Sequence, residues 1–220
     1  MTAATTLLVD LDGTLTDNYP GISRSIVYAL ERMGHPPPPP SDLRHCVGPP
    51  LRGSFARLLD TDDVATVEQA IALYRERFGD VGWRENIVYD GIVEIMPALA
   101  GAASRMFLCT SKPDVFARRI VTLFGLDQYF TGVYGVDLAG TLDDKVKLIA
   151  HLAARENVAL EHAIMIGDRE HDVRAARMNG ARSIGVLWGY GSRQELASAD
   201  AIVVTPAELP GAVAGLGEGR

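Results

Sequence analysis

The feature that most constrains the fold is a repeated alternation of short apolar runs and helical repeats. A run over residues 7–9 ends at Asp10, and the pattern resumes from Val88. A helical repeat around 92–103 precedes an apolar run over 105–110, and Pro113 then opens a helix reaching 124. Residues 132–136 precede a helix over 143–155, and residues 163–167 precede one over 172–178 that stops at Asn179-Gly180. Two more strands, 182–187 and 201–204, follow with a short helix between them, and the glycine-rich tail from 211 reads as frayed. Strands alternating with helices at this spacing predict an α/β fold with a doubly wound parallel sheet of the Rossmann type.

One stretch breaks the alternation. After Asp17, Ile22, Ile26, Val27, Leu30 and Met33 recur at helical spacing, and Gly34 stops the helix. Pro36 to Pro40 form a stiff extended connector. Two short helices over 41–59 flank Val47-Gly48-Pro49-Pro50-Leu51, and a longer helix carries Val64, Val67, Ala70, Ile71, Tyr74 and Phe78 on one face. This stretch offers no strand to a sheet and contains no lysine. The predicted organisation is therefore a core made of residues 1–17 and 87–220, with a helical module, 18–86, inserted into it. Composition narrows the function classes. A formal charge of −7 with no basic tract argues against a nucleic-acid partner, while leaving a small anionic substrate open. Cys46 and Cys109 are far apart and have no metal-type spacing, which fits a reducing compartment. No apolar run is long enough for a bilayer, and Met1 to Ala4 lack the basic region of a signal peptide. The expectation is a soluble, cytoplasmic chain that engages neither membrane nor nucleic acid.

Chemistry concentrates where predicted strands end. The first run releases Asp10-Leu11-Asp12-Gly13-Thr14 at the sheet edge where ligands bind in open α/β folds. Adjacent carboxylates repel unless a cation or a shared proton relieves them, so the pair is either a solvated turn or half of a metal-dependent site. The run over 105–110 ends in Thr110-Ser111-Lys112, two hydroxyls and a cation ahead of a helix start, a setting that suits phosphate oxygens and equally suits helix capping. Lys145 opens the helix that begins at 143; a lysine there is usually solvated and opposes the helix dipole. Asp168 and Asp172 follow the run over 163–167 and can face one cation, or Asp172 can simply cap the helix. Asp10, Asp12, Asp168 and Asp172 together supply enough oxygens for Mg2+. His171 is expected to point to solvent, and the Trp188-Gly189-Tyr190-Gly191 loop to close the core.

In this order, Asp10-Leu11-Asp12-Gly13-Thr14, Thr110, Lys145 and Gly167-Asp168 with Asp172 resemble the haloacid dehalogenase superfamily. The Val47-to-Leu51 loop, residues 134–144 and Trp188 to Ser192 are similar to its phosphoglycolate phosphatase-like subgroup, some of whose members are 5′-nucleotidases. The resemblance implies a Rossmann-like core, a small helical cap at 18–86 and a Mg2+-dependent phosphatase acting on a small phosphorylated metabolite. It implies Asp10 as the nucleophile that becomes an aspartyl-phosphate, Asp12 as proton carrier, and Thr110, with Ser111, as phosphoryl ligand. Lys145 would neutralise charge. The metal would sit on Asp10, the Asp12 backbone oxygen, Asp168 and Asp172. Arg52 is the cap cation expected to meet a substrate's anionic group, surface solvation being its alternative. A dehalogenase would lack the second acid and the metal set, and a phosphonatase needs a cap lysine that this chain lacks. A sugar phosphomutase remains as an alternative, as does a non-catalytic regulatory protein on the same fold.

Overall fold

A computed structural model of the chain describes residues 5–137, 142 and 144–217. The chain forms two compact units, Met1–Thr16 with Val88–Arg220, and Asp17–Ile87. In the first unit, β1 (Thr6–Val9) is followed, after the second unit's excursion, by α4 (Ile92–Ala102), β4 (Arg105–Pro113), α5 (Asp114–Leu123) and β5 (Gly132–Val136). The chain continues as α6 (Lys145–Glu156), β6 (Ala163–Gly167), α7 (Glu170–Met178), β7 (Arg182–Val186), β8 (Ala201–Val203) and α8 (Leu209–Gly217). Six strands form one parallel sheet in the order β5-β4-β1-β6-β7-β8. Strands are added first on one side of β1 and then on the other, so the order reverses beside it and opens a crevice at the strand ends.

The pleat explains the packing. Leu8 lies between Phe107 of β4 and Met165 of β6 in register, and all three are fully buried with Leu148, Ile149 and Leu152 of α6 and Ala175 and Ala176 of α7. Leu7, Met106 and Ile164, one residue earlier on each strand, face the opposite side. With both faces covered, the central segments 7–9, 106–109 and 163–166 are apolar throughout rather than alternating.

The second unit contains α1 (Tyr19–Arg32), a 3-10 helix over Pro40–Cys46, α2 (Leu51–Leu58) and α3 (Val64–Asp80). Asp63 caps α3 by accepting from the Thr66 amide at 2.8 Å. Phe55 meets Tyr74 edge-on, and Tyr74 stacks on Phe78 with ring centres 5.3 Å apart. Where the chain passes between units, β2 (Thr16–Asp17) and β3 (Ile87–Val88) pair as a two-stranded ribbon.

Local expectations change at several points, the helix read from 172 beginning at Glu170 among them. The strand read as 105–110 runs on to Pro113, with a register shift between Cys109 and Pro113. No helix forms between β7 and β8; glycines at 189 and 191 and the contacts of that loop keep it in turns. The tail is not frayed through its described length, because Leu209 and Val213, one helical turn apart, are buried and α8 packs against α4. The helix read from 143 begins at Lys145, capped by Asp144, whose Oδ1 accepts from the Val146 amide at 2.9 Å. Asp143, like residues 138–141 of the 134–144 stretch, lies outside the described residues. No helix among the described residues is long and apolar enough to cross a membrane.

Arg77 binds Glu85 through two nitrogens at 2.8 and 3.0 Å, and Arg24 adds a third contact at 2.9 Å. Hydrogen bonds from Arg77 hold the Glu85 carboxyl below its ordinary 4.5, against burial and with help from Arg24. A depressed folded value stabilises above the unfolded value and loses that effect as pH falls through the folded one. Glu85→Gln is therefore expected to cost about 1–2 kcal/mol at neutral pH. Urea unfolding of both proteins from about pH 7 to about pH 3 checks this, with midpoints converging at the acid end. A gap that persists in acid would assign the loss to packing.

Candidate active site

The carboxyl end of β1 is the centre of the site. Asp10 follows the last residue of β1 and stays tied to β6, its amide donating to the Ile166 carbonyl at 2.9 Å. Leu11 turns into the core and is fully buried. The chain then reverses tightly: the Leu15 and Thr16 amides both donate to the Leu11 carbonyl, and the Gly13 amide donates to that of Thr16 at 2.8 Å. Gly13 has φ +85°, and a methyl group there would overlap the Asp168 carboxylate. The Asp-Gly step is thus required twice, by backbone conformation and by space.

Two buried lysines serve the two acids. Lys145, at the first turn of α6, places Nζ 2.8 Å from Asp10 Oδ1 and also pairs with Asp172 Oδ1. It is buried, contrary to what its position at a helix start suggests. Lys112, near the end of β4, places Nζ 2.6 Å from Asp12 Oδ2, with its side chain only 4% exposed. Thr110 is buried beside it and accepts from the Lys112 amide through Oγ1 at 3.2 Å, with Ser111 half-buried next in line.

Asp168 and Asp172 complete the cluster from β6 and α7. Asp172 Oδ2 accepts from the Arg169 amide at 3.1 Å while its other oxygen meets Lys145, so the capping reading and the cluster reading both hold. Asp168 Oδ2 accepts from the Tyr190 amide at 2.7 Å, and Oδ1 is buried with no hydrogen-bond partner. Oxygens of Asp10, Asp168 and Asp172 lie within 4.8 Å of one another, all three residues buried.

The electrostatics show what the cluster lacks. Burial pushes Asp168 well above the ordinary carboxylate range, and the charges of Asp172 and Asp10 add to the effect. Burial raises Asp172 as well, against the pull of Lys145. Burial alone would discharge Lys145, but Asp10 and Asp172 outweigh it and hold the ammonium. Asp172 still rises, because its burial, with the charge of Asp10 added, outweighs the pull of Lys145. Negative charge in excess, oxygen donors only and an orphaned oxygen on Asp168 fit a hard divalent cation.

The loop after β7, expected from the sequence to close the core, also braces this cluster. Trp188 Nε1 donates to the Thr14 carbonyl at 2.9 Å, and Tyr190 contributes its backbone amide to Asp168 and lays its ring against Gly13. A methyl group at Gly189 would strike the Gly13 carbonyl and Asp168, so the loop lies directly against both acidic turns. Glu195 fastens its far end, accepting from Arg169 Nε at 2.7 Å and from the Glu170 amide at 3.0 Å. Only the glycine spacing could have signalled this. His171 departs from expectation: it is half-buried, Nε2 lies buried without a hydrogen bond, and burial lowers its ring pKa. Cys109 is a buried core thiol, pushed up to about 12 by that burial. Arg52 is in the second unit on α2, exposed, with Nε 2.5 Å from Glu68.

The charge balance makes a prediction. A divalent cation should raise the thermal midpoint of the wild-type protein by binding the folded state. Asp168→Asn should lose most of that rise, while being at least as stable as wild type without cation, because one like charge is gone. An undiminished rise in the variant would place the cation elsewhere.

Comparison with known proteins agrees with this geometry. The profile of the haloacid dehalogenase-like hydrolase family matches residues 7–186. A 5′-nucleotidase of Pseudomonas aeruginosa is 46% identical over 190 residues, 86% of this chain and 86% of that protein. Tyrosine-protein kinase PtkA of Mycobacterium tuberculosis is 37% identical over 201 residues, 91% of this chain and 68% of that protein. A phosphoglycolate phosphatase of Colwellia psychrerythraea is 28% identical over 200 residues, 86% of this chain and 87% of that protein. Among solved structures, a predicted phosphatase from Clostridium acetobutylicum superposes with TM-score 0.90 at 39% identity, covering 96% of this chain and 98% of its own. A six-stranded sheet with these acids at its central strand ends, matched from Leu7 to Val186, makes the chain a member of the haloacid dehalogenase-like hydrolase family.

Proposed function

We propose that this hydrolase removes the phosphate of a small organic phosphate monoester, with nucleoside 5′-monophosphates the first class to test and phosphoglycolate the second. The observation that carries the reading is Asp10, a buried carboxylate at the end of β1 with Lys145 Nζ at 2.8 Å and Asp168 and Asp172 within 4.8 Å. A carboxylate held beside an ammonium and a cation-binding cluster can approach an anionic phosphoryl group that would otherwise repel it. The order of substrate classes follows the relatives, 46% identity to the 5′-nucleotidase against 28% to the phosphoglycolate phosphatase.

In this reading an Asp10 oxygen attacks phosphorus and the ester P–O bond breaks. Its electron pair stays on the leaving alkoxide, which takes a proton from Asp12. Water then attacks the aspartyl-phosphate, giving up a proton to Asp12, and the Asp10 carboxylate and inorganic phosphate are released. The Thr110 hydroxyl donates to a phosphoryl oxygen, and Lys145 balances the charge that gathers there. Asp10, Asp168, Asp172 and the Asp12 carbonyl would hold a Mg2+ ion, which when bound neutralises phosphoryl charge. Arg52 is assigned to a further anionic group of the substrate; its exposed pairing with Glu68 is worth about 1 kcal/mol or less, so an anion can displace it. The helical unit is assigned the role of cap and specificity module. A cytoplasmic setting belongs to the same proposal, Cys46 and Cys109 both being buried free thiols.

A panel of nucleoside monophosphates, phosphoglycolate and p-nitrophenyl phosphate, assayed for phosphate release with Mg2+ and with chelator, tests the reading. Release should require Mg2+ and fall by about 10⁴-fold or more in Asp10→Asn, which removes the nucleophile. Release that survives chelation or the substitution would overturn the mechanism. Conversion of a sugar phosphate without free phosphate would favour a mutase, and phosphate moved from ATP to a tyrosine peptide would favour the activity named for the mycobacterial relative.

A further inference from the structure

We propose that Lys112 is a positioning residue for the proton carrier. Its ammonium pins one oxygen of Asp12 so that the other, buried and without a hydrogen bond, is presented to the leaving group. This rests on the phosphatase reading above. Lys112 Nζ lies 2.6 Å from Asp12 Oδ2, and Asp12 Oδ1 is the unpartnered oxygen.

The pair is not explained by stability. Burying both charges costs several kcal/mol in desolvation, and an apolar pair of similar size would stabilise as well or better. What an ion pair adds over an apolar contact is a fixed direction for the carboxylate. The chain is shaped to deliver it. Between Cys109 and Pro113 the register of β4 against β5 shifts, a local irregularity of the kind that re-aims a side chain. The Lys112 amide is fastened to Thr110 Oγ1 at 3.2 Å, tying the lysine to the proposed phosphoryl ligand. Across the sheet, a methyl group at Gly135 would strike the Lys112 carbonyl and the Asp114 backbone, so β5 keeps that position empty for this segment. Lys145 pairs with the nucleophile and Lys112 with the proton carrier, which separates the two acids by partner as well as by role.

The separation gives a test that a purely structural role would not pass. Proton donation matters for a poor leaving group such as a ribose alkoxide and little for p-nitrophenolate. Lys112→Met should lower kcat/KM on a nucleoside monophosphate by about 10–100-fold and on p-nitrophenyl phosphate by much less. KM and the cation-induced rise in thermal midpoint should stay near wild type, and Lys112→Arg should recover part of the loss. An equal loss on both substrates, or a lost cation response, overturns the positioning role. A rise in KM with kcat unchanged makes Lys112 a substrate contact instead, and also overturns it. If Lys112→Met fails to fold, Lys112→Gln and Lys112→Arg are compared on the same two substrates. A wild-type protein that releases phosphate from no member of the panel overturns the phosphatase reading and this inference with it, whereas activity in wild type with no substrate-dependent loss overturns this inference alone.

Discussion

Three carboxylates crowd one ammonium at the end of β1, and the surrounding structure is organised by that imbalance. Buried acids ordinarily shed their charge or find a partner. Lys145 satisfies Asp10 and half of Asp172 and has nothing left for Asp168, whose Oδ1 stays unsatisfied. A fold that keeps such a cluster stores repulsion that a divalent cation or its own protons must relieve. That is a costly arrangement for a merely structural turn.

The sheet order brings the cluster together. β1 lies between β4 and β6, and each of these three central strands ends in a residue of the site, Thr110 and Lys112 from β4, Asp10 and Asp12 after β1, Asp168 after β6. α6 begins with the lysine that joins Asp10 to Asp172. The helical unit leaves the chain just after the first acidic turn and returns before α4, without interrupting any of these strands.

Much of this was legible in the sequence because the central strands are buried on both faces and read as apolar blocks. Residues 132–136 and 163–167 need no correction as strands, and Asp10, Lys145, Asp168 and Asp172 come together from positions named in advance. What escaped has common physical reasons. The extension of β4 through Lys112 depends on the neighbouring strand, since Thr110-Ser111-Lys112 reads locally as the approach to a helix. The burial of Lys145 comes from its acidic partners, which its own position does not reveal. The hydrogen bond from Tyr190 to Asp168 comes from an amide, which any residue but proline could supply. The α8 anchor depends on an α4 surface far away in sequence.

The close fit of the Trp188–Gly191 loop against Gly13 and Asp168 has a consequence for the birth of the protein. The acidic turn near the start of the chain emerges from the ribosome long before the loop that braces it, with roughly 170 residues of synthesis between them at about 5–20 residues per second. β1 likewise waits for β4 and β6, since a central parallel strand has no local partner. Closing loops of that length is entropically slow, so the acid cluster is among the last parts to form. The acid cluster is therefore complete only when folding is, and an unfinished chain carries its first two acids without the lysines and the loop that brace them.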